Sequence, residues 1–270
     1  MDIHIISLLL GAFVGILLSL TGAGGGVVSV PLLVFTLHLS IAKASPIGLL
    51  AVMMAAFVGA IFGLRAGVVR YKAAGLMALC GIIFSPLGLW MAQKLPNAWL
   101  TVLFACLLAF VAIRMLLQLN RELDELGWVD ERPKPPCQLD QMIGKLRWTA
   151  PCARSIMMAG SISGFLSGLI GVGGGFVIVP ALREFTDLDI KSIVATSLAS
   201  ITLVSAGGVL VASSTGLIDW GNAWPFAFGS AVGMLLGRSL ANKMSPTFVH
   251  KSFAIFALLV AFGLILKLFI

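Results

Sequence analysis

The segment Leu20-Thr-Gly-Ala-Gly-Gly-Gly-Val-Val-Ser-Val-Pro31 returns as Leu169-Ile-Gly-Val-Gly-Gly-Gly-Phe-Val-Ile-Val-Pro180, and the two prolines stand 149 residues apart. The same offset carries Gly11 to Gly160, Gly15 to Gly164, Gly59 to Gly208, Gly67 to Gly216, Gly88 to Gly237, Lys94 to Lys243, Phe104 to Phe253 and Ala112 to Ala261. A register that runs without a gap from Gly11 to Ala112 marks a duplicated supersecondary unit and not chance glycine enrichment. The chain therefore divides into a first repeat, 1–119, a linker, 120–152, and a second repeat, 153–270.

Each copy consists of apolar blocks: 3–20, 27–39, 46–64, 73–92 and 98–118 in the first, and 153–170, 176–186, 193–213, 223–241 and 248–269 in the second. With 59% apolar and 11% charged residues, the chain has too few charges to cover a water-facing surface, so most of its mass belongs in a bilayer. The expected fold is an all-α polytopic membrane protein of two inverted-topology repeats, each a glycine-broken re-entrant or hairpin segment followed by three transmembrane helices. Block 3–20 has no Lys or Arg before it and no small-residue cleavage site after it, so it reads as a membrane segment and not a signal peptide.

The formal charge of +7 resides mostly in short loops between apolar runs, which sets topology and gives no reason to expect nucleic acid. Loop 65–72 carries Arg65, Arg70 and Lys72, whereas its counterpart 214–221 has no base and one acid, Asp219. The bias then reverses: Lys94 faces Arg238, Lys243 and Lys251, and Lys43 faces Arg183 and Lys191. Matching loops thus lie on opposite faces, with the linker cytoplasmic and both termini outside. Three long blocks per half cross three times, so the first two blocks must turn back to the side on which they began. Lys267, near the outside C-terminus, is a mild exception.

The linker holds Pro133, Pro135 and Pro136, is too short to bury a core, and is expected to carry a short helix over 139–146. Cys80 and Cys106 lie inside apolar runs, while Cys137 and Cys152 flank the linker; with no C-x-x-C pair and no nearby His, neither a disulfide framework nor a metal site is expected. No cofactor is expected either, and no nucleophile–base cluster points to an enzyme.

Consecutive glycines disfavour continuous helix and permit positive φ. A helix restarting after them aims free N–H groups and its positive dipole end at the break, a geometry suited to a small anion. Two such termini, brought together by inverted repeats, make a pseudo-symmetric site from Gly22, Gly24, Gly25, Gly26 and Val27 with Gly171, Gly173, Gly174, Gly175 and Phe176. Ser45 and Gly48, and Thr196 and Ser197, occupy corresponding stretches at the starts of long segments and complete the candidate cage, with helix capping as the alternative role. The motif lacks the Gly-Lys-Ser/Thr ending and the G-x-G-x-x-G spacing of nucleotide sites. Scattered glycines such as Gly59 and Gly208 are assigned to close helix packing.

Arg183 and Glu184 have no counterparts in the first half and are read as snorkelling to the cytoplasmic interface. Trp90, Trp99, Trp220 and Trp224 are read as interfacial anchors. His4, His38 and His250 are isolated, and no carboxylate stands centrally in a long segment, so proton or sodium coupling has no carrier evident in the sequence.

These residues resemble the sulfite exporter TauE/SafE family of anion permeases. The resemblance rests on the twin G-x-G-G-G…V-P-x-L segments, on Ala195-Thr196-Ser197-Leu198, on the turn from Gly216 to Trp220, and on Leu87-Gly88…Ala92…Lys94-Leu95-Pro96 with Leu236-Gly237…Ala241…Lys243-Met244. It covers nearly the whole chain apart from the linker; Ser45-Pro46-Ile47-Gly48 departs from the Thr-Ser pattern of the second half. The resemblance implies a secondary transporter in the bacterial inner membrane, moving sulfite, sulfonates or related organosulfur anions by alternating access. An uncoupled anion channel, or a membrane scaffold acting through the linker, are the alternatives. Substrate, direction, coupling ion and oligomeric state are not assigned from sequence.

Overall fold

The computed structural model describes residues 3–22, 25–124, 135–140, 145–146, 148–241 and 246–269. Five helices come from the first half: α1 (Ile3–Thr21), α2 (Gly25–Thr36), α3 (Ile41–Arg65), α4 (Tyr71–Lys94) and α5 (Asn97–Asp124). Five come from the second: α6 (Ala150–Ile170), α7 (Gly175–Phe185), α8 (Ile190–Ser214), α9 (Trp220–Ala241) and α10 (Pro246–Phe269). α3 and α8 begin and end at the same offset of 149 residues that relates the glycine clusters. Among the described residues, six helices are long and apolar enough to cross a membrane, while α2 is shorter. At 1.5 Å per residue its 12 residues extend only about 18 Å, well short of a hydrocarbon core.

The lipid-facing surface is legible in the exposed residues. Leu79, Ile83, Leu87 and Trp90 recur along one face of α4, and Ile255, Leu259, Phe262 and Leu266 along one face of α10. Large apolar side chains at helical spacing on the outside suit a solvent of acyl chains. Lys94 lies over the Trp90 ring at 3.9 Å, at the end of α4, and Trp220 and Trp224 sit 5.7 Å apart in the first turns of α9.

Glycines bring the two halves into each other. A Cβ on Gly11 would overlap the carbonyl of Phe226, one on Gly15 that of Ser230, and one on Gly233 that of Ala12, so α1 packs along α9 and runs parallel to it. The equivalent pair is α6 on α4: Gly160 meets Met77, Gly164 meets Gly81, and Gly168 meets Ser85, again in parallel. Small residues that let backbones touch drive helix association where burial from water offers no force. At the centre α3 and α8 are antiparallel, with Gly59 against Leu198 and Gly63 against Ala195.

The linker departs from expectation. Instead of a helix over 139–146, β1 (Leu139–Asp140) pairs antiparallel with β2 (Lys145–Leu146). Cys137 and Cys152, expected to be unpaired, form a disulfide with Cα atoms 4.8 Å apart. The reason is tertiary: Cys137 donates its N–H to the carbonyl of Phe185 at 3.0 Å and bridges Thr186, so the linker is held at the end of α7 beside the start of α6. Thr149 caps α6, accepting from the Cys152 N–H.

Candidate functional site

The polypeptide breaks at both glycine clusters. Gly22 (φ 72°) and Gly171 (φ 78°) adopt the left-handed conformation, and each N–H returns to the carbonyl four residues back, on Leu18 and Ser167. This is the glycine-ended helix stop that the Cβ of other residues penalises. In the second half Gly173 and Gly174 are also left-handed, and α7 starts from Gly174. After each stop the chain turns back. A Cβ on Gly25 would overlap Leu18, and Gly26 approaches Val52 as Gly48 approaches Ser29 and Val30, so α2 runs antiparallel to α1 and to α3. In the same way α7 starts beside Ser163, within α6, whose hydroxyl donates to the Gly174 carbonyl at 3.0 Å.

The breaks meet one another: a Cβ on Gly26 would stand 2.5 Å from the Val172 carbonyl oxygen. Each also abuts the start of the opposite half's long helix, Gly22 against the Val194 methyls and Gly171 against Ser45. Gly25, Gly26 and Val27 form the first turn of α2, and Gly175 and Phe176 that of α7; all five are buried. Gly24 lies outside the described residues.

The hydroxyls named from sequence divide. The Thr196 hydroxyl accepts the Arg70 N–H of the other half at 3.0 Å, and Ser197 donates to the Val194 carbonyl of its own helix at 2.8 Å, so both serve backbone groups. Ser45 is 1% exposed, and its Oγ has no hydrogen-bond partner among the described residues. Thr21, which the sequence reading passed over, accepts the Gly25 N–H at 3.2 Å while donating to Leu17 at 2.7 Å, and so caps α2 across the break. An N-cap threonine followed by glycines was the available signal.

A cavity of about 880 Å3 opens at the linker end of the bundle and reaches Thr21 and Gly22. Four cations line it, Arg114, Arg183, Lys191 and Arg238, against one carboxylate, Glu184. Glu184 is bound by Arg114 of α5 at 2.7 Å, a partner that sequence spacing does not indicate. The Arg238 guanidinium lies over the Phe62 ring, 4.3 Å from its centroid. Among the candidate residues, Gly22 and Phe176 line this cavity. Asp189, exposed at the head of α8, has its carboxyl held below the usual carboxylate range, chiefly by a hydrogen bond from the Ser192 side chain, with desolvation opposing it. Among the described residues, no cluster of His, Cys, Asp and Glu is large enough to hold a metal ion.

Gly171, Gly173, Gly174 and Gly175 of the other break do not line this cavity. A Cβ on Gly171 would overlap Ser45 Oγ and the Ser45 backbone together, and one on Gly174 would overlap the Ser163 hydroxyl.

The chain is similar to a "Probable membrane transporter protein" of Xylella fastidiosa, 27% identical over 242 residues that cover 88% of this chain and 84% of the relative. It is similar also to "Probable membrane transporter protein MJ0441" of Methanocaldococcus jannaschii (28%, covering 88% and 86%) and to "Probable membrane transporter protein YjnA" of Bacillus subtilis (27%, covering 88% and 91%). No solved structure matches the chain. It is a multi-pass membrane protein, and its match to the family model over residues 7–264 shows that it belongs to the sulfite exporter TauE/SafE family.

Proposed function

We propose that this protein is a secondary transporter, not an enzyme, which moves a small organosulfur anion such as sulfite or a sulfonate across the bacterial inner membrane by alternating access. The observation that carries the reading is the one-sided cavity: four cations against one carboxylate lead from the linker face to the first break at Gly22, while the second break is packed against Ser45. A cationic vestibule concentrates anions, and the first turns of α2 and α7 present helix N-termini where the breaks meet. In this reading Gly22, Gly24, Gly25, Gly26, Val27, Ser45 and Gly48 act with Gly171, Gly173, Gly174, Gly175, Phe176, Thr196 and Ser197 around the translocated anion.

The two repeats, 1–119 and 153–270, would stand inverted in the membrane. The antiparallel run of α3 against α8 and the turn-back of α2 and α7 support this. Arg65, Arg70, Lys72, Arg114, Arg183, Lys191 and Arg238 crowd the linker end, whereas Lys43 and Lys94 are at the other. That excess supports a cytoplasmic linker, 120–152, with both termini outside.

The test is counterflow by purified protein in proteoliposomes, against sulfite, thiosulfate, sulfonates and carboxylates, with and without imposed proton and sodium gradients. Saturable uptake that responds to one gradient is the expected result. Flux indifferent to every gradient would make the protein a channel, and no anion flux at all would overturn the reading.

A further inference from the structure

The cavity is open sideways as well as towards the linker. α5 packs chiefly on α10 and α6 chiefly on α4, which leaves a crevice between α5 on one side and α6 and α7 on the other. Phe110 of α5 (60% exposed) and Met158 and Ile162 of α6 (63% and 48%) line the cavity and also stand on the outer surface. Apolar side chains so exposed on membrane-spanning helices face acyl chains, so the crevice between them is reached from the bilayer. Each of its three helices then carries an arginine at the linker end. α5 runs towards the linker, and Phe110 precedes Arg114 by one turn. α7 runs the same way, from Val177 to Arg183 and Glu184. α6 starts there, with Arg154, an exposed residue, one turn before Met158 on the same face and two turns before Ile162.

The dimensions and the charge of this crevice fit one kind of molecule. On α6 its apolar strip extends from Met158 to Leu166, about 12 Å of helix, against ~15 Å for the hydrocarbon of one leaflet. At its end Arg114, Arg154 and Arg183 carry three positive charges against one carboxylate, Glu184, which Arg114 binds at 2.7 Å. Guanidinium groups match phosphate oxygens through paired hydrogen bonds, and basic pockets between membrane helices take anionic headgroups. We propose that the crevice holds an anionic glycerophospholipid, its phosphate among Arg114, Arg154 and Arg183 and one acyl chain between α5, α6 and α7. A zwitterionic headgroup fits less well, because its own cation is brought to a site of net positive charge. The bound lipid walls the cavity on its open side and leaves Lys191 and Arg238 beside the first break. The proposal stands on the lipid-facing surface and does not depend on the transport reading.

Native mass spectrometry of the purified full chain tests it, by titration with dioleoylphosphatidylglycerol and dioleoylphosphatidylcholine, which share acyl chains and differ in headgroup. One phosphatidylglycerol should be retained in preference to phosphatidylcholine by at least about fivefold. Arg154→Gln should lower that preference by about fivefold, and Arg154→Lys should keep it. Glu184→Gln should raise it by a similar factor, because the lost carboxylate is the one opposing charge; a merely structural role for the ion pair would not raise it. Each preference is a ratio within one preparation, so a loss of folded protein does not imitate the result. Glycerol 3-phosphate, which has the phosphate without the chains, should not displace the lipid at equal concentration. Equal binding of the two lipids would overturn the proposal, as would a preference unmoved by both Arg154→Gln and Glu184→Gln. Displacement by glycerol 3-phosphate would overturn it too, since the arginines would then hold a soluble phosphate and not a lipid.

Discussion

The two breaks occupy equivalent places but meet different neighbours, and a pair of double-mutant cycles exposes the difference. At Gly22 an added Cβ lies 2.7 Å from both methyls of Val194 and 3.3 Å from its Cβ, so the obstruction is side chain alone. At Gly171 it overlaps the Ser45 Cα and carbonyl oxygen as well as the hydroxyl, so the obstruction is largely main chain. Both positions also have left-handed φ, which costs a residue with a Cβ about 1–2 kcal/mol. Gly22→Ala should therefore lose that amount plus an overpacking penalty of about 1–3 kcal/mol. Val194→Ala removes the colliding methyls, so the double variant should recover the overpacking part, a coupling of about 1–3 kcal/mol. Gly171→Ala should lose at least as much, and Ser45→Ala should recover under about 0.5 kcal/mol, because the Cα and carbonyl remain in place. Reversible detergent unfolding of the four single and two double variants measures both couplings, with counterflow on the same preparations. Equal couplings at the two breaks, or a Gly22→Ala variant of unchanged stability, would refute the packing argument.

Gly75 in α4 faces open space, so Gly75→Ala should raise stability by about 0.8–1 kcal/mol through helix propensity, and a loss measured in the same unfolding assay would contradict its placement. The Cys137–Cys152 disulfide lies on the face proposed above to be cytoplasmic, where thiols are ordinarily kept reduced. A cysteine introduced by Trp148→Cys, at a position 40% exposed, should accept an impermeant thiol reagent in inside-out vesicles only; labelling in right-side-out vesicles would reverse the proposed orientation.

The class of fold was legible because apolar blocks long enough to cross a bilayer have little else to do, and because a 149-residue offset survives in glycines that cannot be exchanged. Gly22 and Gly171 are such positions: their φ requires glycine, so the sequence preserves the place where each helix stops. Partner choice was less legible. That α1 lies on α9 and α6 on α4 is a tertiary fact, though the spacing of Gly11 and Gly15 against Gly229 and Gly233 is the small-residue pattern that such packing uses. Lys191 and Arg238 were read as topology signals in separate loops, and nothing in their local sequence says that they converge on one cavity. Thr196 and Ser197 show the opposite limit. Their hydroxyls look available in the sequence, but the chain uses them on Arg70 and Val194. The disulfide and the β1–β2 pair depend on the linker folding back to α7, which no periodicity in the linker encodes.

The contrast between the breaks bears on how a duplicated scaffold can cycle. In alternating access, exchange of conformation between inverted halves turns a closed face into an open one, and identical halves would make the two states equal in energy. Here the break at Gly22 rests on Val194 and that at Gly171 on Ser45, whose hydroxyl is buried without a partner among the described residues. An unmet hydroxyl costs about 1–3 kcal/mol, and opening that face to water or to an oxyanion would remove the cost. The apolar contact of Gly22 with Val194 carries no such penalty when its own face closes. On the proposed alternating-access reading, serine in place of valine at one of two equivalent positions therefore disfavours the state in which the Ser45 face is closed. On that reading the two states then differ by about 1–3 kcal/mol, with the state open at Ser45 the lower, where identical halves would leave them equal.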